Sequence, residues 1–115
     1  MSYDIDFRVK VEGVDEWVSV GDCDANITWN VREMIEQSTG LEWINEANNG
    51  LCKDVIPKIE HGYNELRRHS QKYKKYESPN GWGTVEGCKS FFADIIYAYE
   101  HLDPNLKDVA TFWIC

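Results

Sequence analysis

The sequence predicts an α+β fold: a three-stranded antiparallel sheet, made of an N-terminal hairpin and a C-terminal strand, with three to four helices packed on one face. Three patterns carry that prediction. Tyr3, Ile5, Phe7, Val9 and Val11 alternate with Asp4, Asp6, Arg8 and Lys10, a period of two that marks a half-buried strand. Val85, Cys88, Phe91, Phe92, Ile95, Ile96 and Tyr99 recur at helical spacing, the cleanest amphipathic stripe in the chain and so the core helix. Val109 to Ile114 is short, β-branched and aromatic, which suits a last strand returning to the hairpin.

The elements follow in order. Gly13-Val14-Asp15-Glu16 makes a turn after the first strand, and Trp17 to Val20 comes back as the second. Gly21 to Asn30 reads as an irregular polar segment. Asn30 and Glu33 have the spacing of a capping box opening a helix over Val31 to Thr39, which Gly40 ends. Leu41 to Ala47 suggests a helical turn, and Asn48-Asn49-Gly50 breaks the chain. Leu51, Val55, Ile59, Tyr63 and Leu66 share one face of a helix from Leu51 to Arg68. Gly62 lies inside it at a cost of about 1 kcal/mol relative to Ala, which implies a close neighbour. Arg67 to Tyr76 is basic and carries Tyr73 and Tyr76. That composition fits a helix C-terminus with its rings packed under a loop, or a phosphate-binding strip.

Ser78 to Glu86 is the densest stretch of signals. Pro79-Asn80-Gly81 is turn chemistry, Thr84 can cap the core helix, and Glu86 puts negative charge at its positive end. Trp82 either plugs the core or is offered to a ligand.

At 115 residues the chain suits one α+β domain over residues 1–115. No apolar run is long enough to span a bilayer, and the first residues lack the pattern of a signal peptide, so a cytoplasmic setting is expected. Residues 1–50 hold eleven acidic against three basic residues, while residues 51–115 hold nine of each, so the net charge of −8 sits wholly in the first half. Such a half is a solvated acidic face or a surface for a basic partner. Cys23, Cys52, Cys88 and Cys115 form no CxxC pair and read as free thiols, Cys88 in the core and Cys115 exposed. Asp22, Asp24, Asn26 and Glu33 match part of a calcium loop, but Ile27 stands where its glycine belongs. No metal, cofactor or catalytic constellation is expected, and the chain is read as a non-enzyme.

Asn26-Ile27-Thr28-Trp29-Asn30-Val31 with Met34, and Tyr73, Tyr76 and Pro79-Asn80-Gly81-Trp82-Gly83-Thr84 with Glu86, resemble two segments shared by small phage and prophage proteins of unknown function. The resemblance covers roughly residues 24–102 and implies a mobile-element origin in a bacterial host. A small, acidic chain of that origin is expected to be a non-catalytic inhibitor of a host defence or nucleic-acid-handling protein, with anti-CRISPR proteins its analogue in size, charge and origin. The partner would offer a basic nucleic-acid groove to Asp4, Asp6, Glu12, Asp15 and Glu16. The alternative is a nucleotide-like ligand held where Asn26, Thr28 and Asn30 meet Asn80 and Trp82.

Overall fold

Ser2–Lys10 forms a nine-residue strand, β1, in which Tyr3, Ile5, Phe7 and Val9 are buried while Asp4 and Lys10 are exposed. In the computed structural model, which describes residues 1–13 and 15–115, β1 is the middle of a four-stranded antiparallel sheet. Its partners are β2 (Trp17–Val20), β3 (Asn26–Thr28) and β4 (Thr111–Ile114). Phe7 pairs with both Val20 and Phe112, and Tyr3 with Ile27. Asp4 faces Asn26 and also exchanges backbone bonds of 3.2 and 2.8 Å with Cys115. A strand has two edges, so β4 takes one, and β2 and β3 lie one after the other along the second.

The predicted three-stranded sheet is thereby corrected to four strands. Asn26–Thr28 reads as irregular in the sequence, because three residues are too few to show alternation. Its partners are far away in sequence, and flanking bonds from Ile5 N to Ala25 O (3.0 Å) and from Trp29 N to Met1 O (3.2 Å) extend the pairing. The capping box is corrected too. Thr28 Oγ1 accepts the Asn30 N–H at 3.4 Å and opens a 3₁₀ turn, Trp29–Val31, that runs into α1 (Arg32–Thr39). Asn30 already lies inside that turn, so it cannot also stand outside it as a cap. Gly40, at φ 78°, ends α1 in the left-handed conformation expected of a C-terminal glycine.

A single π-helical turn, Trp43–Ala47, leads to α2 (Cys52–Arg68). Gly62 has the close neighbours its position implies: a Cβ there would lie 2.7 Å from Thr39 Cγ2 and 2.9 Å from Phe92 Cε2. The short α3 (Ser70–Tyr73) and a 3₁₀ turn, Lys74–Tyr76, follow. α4 (Val85–Glu100) is capped as predicted, with Thr84 Oγ1 accepting Gly87 N–H at 2.9 Å. A second cap comes from across the loop, where the Glu77 carboxylate accepts Val85 N–H at 2.8 Å.

One hydrophobic cluster joins the inner sheet face to the helices. Phe91, Phe92 and Ile95 are fully or almost fully buried with Ile5 and Phe7, and Ile96 and Tyr99 are partly buried against them. Trp43 is the aromatic hub, its ring 5.9 Å from Tyr3, 6.1 Å from Phe91 and 5.7 Å from Phe112, all edge-to-face. Among the described residues, no helix is long and apolar enough to cross a membrane.

Candidate functional site

The five acidic residues divide into two groups. Asp6 Oδ2 accepts from Arg8 Nε at 2.7 Å and from Ser19 Oγ at 2.6 Å, and the Arg8 guanidinium also stacks 4.5 Å over the Trp113 ring. The bond to Asp6 raises the Arg8 pKa above its ordinary value. Asp4 accepts from the Asn26 amide. Both carboxylates are thus held within the outer face of the sheet.

Glu12, Asp15 and Glu16 are different. They are exposed at the hairpin end, and none forms an ion pair among the described residues. Glu12 and Asp15 share a shallow hollow of about 480 Å³ with Lys10, Val11 and Gly13. Both faces of the hairpin end are left uncovered: Val11, Trp17 and Val18 are each 43% exposed. Val11 and Val18 continue the inner face, and Trp17 lies on the outer one, 5.5 Å from Trp113. Alternation alone places Val11 on the buried face. How far the helical layer reaches is not written in the strand, so these residues carried no sequence signal as surface.

The structure also brings together the two polar segments. Asn26, Thr28 and Asn30 line an open cleft of about 610 Å³ with Ser2, Asn80 and Trp82. The joint is tight, since a Cβ on Gly83, whose φ is +95°, would lie 2.5 Å from Val31 Cγ1. Most of the polar groups serve one another. The Asn26 amide donates to Ser2 Oγ at 3.0 Å and to Asp4, and Asn80 Oδ1 accepts from Ser78 Oγ at 2.7 Å and Trp82 N–H at 2.9 Å. Among the described residues the Asn30 side chain has no hydrogen bond within the protein, and the Trp82 ring is 68% exposed, so it does not plug the core.

Elsewhere, Tyr73 is buried and donates to Glu65 at 2.7 Å; burial and that bond push its pKa up to about 12. Lys72 and Lys75 lie over the Tyr73 and Tyr76 rings, so the basic segment is organised around its aromatics. Burial pushes the Cys23 thiol up to about 11 and those of Cys52 and Cys88 to about 12, which holds them protonated and poorly nucleophilic. Cys115 is exposed. No three His, Cys, Asp or Glu side chains among the described residues are grouped so as to hold a metal ion.

The chain matches no protein-family model, no curated protein and no solved structure.

Proposed function

We propose that the chain is a non-catalytic interaction protein of phage origin. Its acidic hairpin end occupies a Lys- and Arg-lined groove of a host defence or nucleic-acid-handling protein in the bacterial cytoplasm and so keeps nucleic acid out. One observation carries this reading: Glu12, Asp15 and Glu16, which form no ion pair among the described residues, lie at the same hairpin end as Val11, Trp17 and Val18, apolar residues that the fold leaves uncovered. Exposed apolar side chains on both faces of a hairpin tip, beside exposed carboxylates, mark an interaction surface. The net −8 of residues 1–50 would steer it toward a basic groove and away from nucleic acid itself. Asp4 and Asp6 contribute to the field but are tied to Asn26, Arg8 and Ser19.

The test has two stages. A partner is captured from bacterial lysate and identified, and the chain is then titrated against that partner bound to labelled nucleic acid. Displacement is expected at low salt and is lost near 0.5 M salt, roughly where the screening length falls below 5 Å. Changing Glu12, Asp15 and Glu16 together to Lys is expected to weaken displacement by at least about tenfold with the melting curve nearly unchanged. Equal displacement by this variant would reject the reading.

A further inference from the structure

β2 is the outer strand of the hairpin, and its far edge has no backbone hydrogen bond among the described residues. Which of its groups face outward follows from β1. Ile5 N–H donates to Ala25 O and Asp4 N–H to Cys115 O, so odd residues of β1 bond toward β2 and β3, and even ones toward β4. The unbroken burial alternation of β1 carries that parity on to Phe7 and Val9. Their partners Val20 and Val18 therefore turn their backbone groups inward. Trp17 and Ser19 turn theirs outward, to solvent.

Sheet edges are commonly protected by proline, lysine, a bulge or an inward-pointing charge. Trp17-Val18-Ser19-Val20 has none of these. Charge is placed at its ends instead. Asp15 and Glu16 precede the strand, Asp22 follows it and Glu12 lies across the hairpin, all exposed. Against them stands Lys10, opposite Trp17, while Arg8 is engaged by Asp6.

We infer that β2 takes up an extended, Lys- or Arg-bearing segment of a partner protein as an added strand. The outward N–H and C=O groups of Trp17 and Ser19 supply the pairing, and the flanking carboxylates select for positive charge. Trp17 and Val18, exposed on opposite faces, offer contacts to alternate side chains of the incoming strand. A second copy of this chain is a poor occupant, because either orientation of two β2 strands sets acidic flanks against acidic flanks. The inference rests on the proposed role of the hairpin and adds the mode of binding.

The probe is an end-blocked peptide alternating Lys with Val and Thr, about seven residues long. It is compared with a Glu-for-Lys counterpart and with a version N-methylated at alternate nitrogens, which cannot pair. Amide hydrogen exchange is followed on the whole chain. The Lys peptide is expected to slow exchange of the Trp17 and Ser19 N–H groups by at least about tenfold, and the other two peptides to leave it unchanged. Ser19→Pro removes one outward N–H and is expected to abolish uptake. Ser19→Ala loses only the bond to Asp6 and is expected to keep it.

Unslowed exchange at Trp17 and Ser19, or equal uptake of the N-methylated peptide, overturns strand addition, and neither result depends on a variant folding. If either occurs while the Glu12, Asp15 and Glu16 to Lys variant still loses the partner, the acidic hairpin stands and only the mode fails. If that variant keeps both partner and peptide, both readings fall. Protection of the same two amides on concentrating the chain alone, with a dimer in sedimentation, would make the occupant a second copy and reject the basic segment.

Discussion

Phe92 is fully buried where α4 meets α2, its ring edge against the place a Gly62 side chain would fill and its centroid 6.0 Å from that of the tilted Phe91 ring. Truncating it to alanine removes a large aromatic that the helices have closed around, so Phe92→Ala is expected to cost about 3–5 kcal/mol in urea melts. A loss under about 1 kcal/mol would mean that the site collapses or that the ring is not packed as described. The helical stripe made this residue legible in advance. Trp43 was less so: it belongs to a five-residue π turn too short to show a period, yet it links Tyr3, Phe91 and Phe112. Its Nε1 is buried without a hydrogen-bond partner among the described residues, so large aromatic contact outweighs an unmade hydrogen bond there.

At the scale of elements, the start of α4 shows how a helix end is held by both neighbouring and distant chain. Thr84 accepts Gly87 N–H and Glu77 accepts Val85 N–H, two of the donors that a helix leaves unsatisfied. Thr84 sits at a position that sequence signals identify. Glu77 does not, because its eight-residue separation from Val85 depends on how the loop folds back. Thr84→Ala and Glu77→Ala are each expected to lower stability by about 1 kcal/mol. The double variant should lose less than the sum if the two caps support the same first turn. A Glu77→Ala protein that melts like the parent would reduce Glu77 to a surface acid.

For the whole molecule, the buried thiols of Cys52 and Cys88 and the half-buried one of Cys23 make stability depend on alkaline pH. Their folded pKa values, about 11 for Cys23 and about 12 for Cys52 and Cys88, lie above the ordinary value of 9.0 because burial disfavours the thiolate. A group whose folded pKa is raised contributes fully below its unfolded pKa, and the contribution is lost as pH rises through the folded one. Stability is therefore expected to hold up to about pH 9 and to fall between about 9 and 12, by up to ~1.4 kcal/mol per pH unit for each thiol. Urea midpoints across that range measure it, with Cys88→Ala expected to flatten the slope. A midpoint constant from about pH 8 to about 10.5 would contradict it.

The α+β class, the inward face of β1, the stripe of α4, the Thr84 cap and the charge asymmetry of −8 over residues 1–50 are all legible in the residue pattern. Those properties are local or additive: side-chain periods, capping chemistry and counts of charge need no knowledge of what lies opposite. Only the folded arrangement makes Asn26–Thr28 a strand, brings Glu77 to Val85, and ties down Asp4 and Asp6 while Glu12, Asp15 and Glu16 form no ion pair among the described residues. It also decided that the helices stop short of Val11 and Val18, leaving a hydrophobic alternation exposed at the hairpin end. Pairing partners and coverage are relations between distant segments, so a pattern of residues can state which face is apolar but not what, if anything, lies over it.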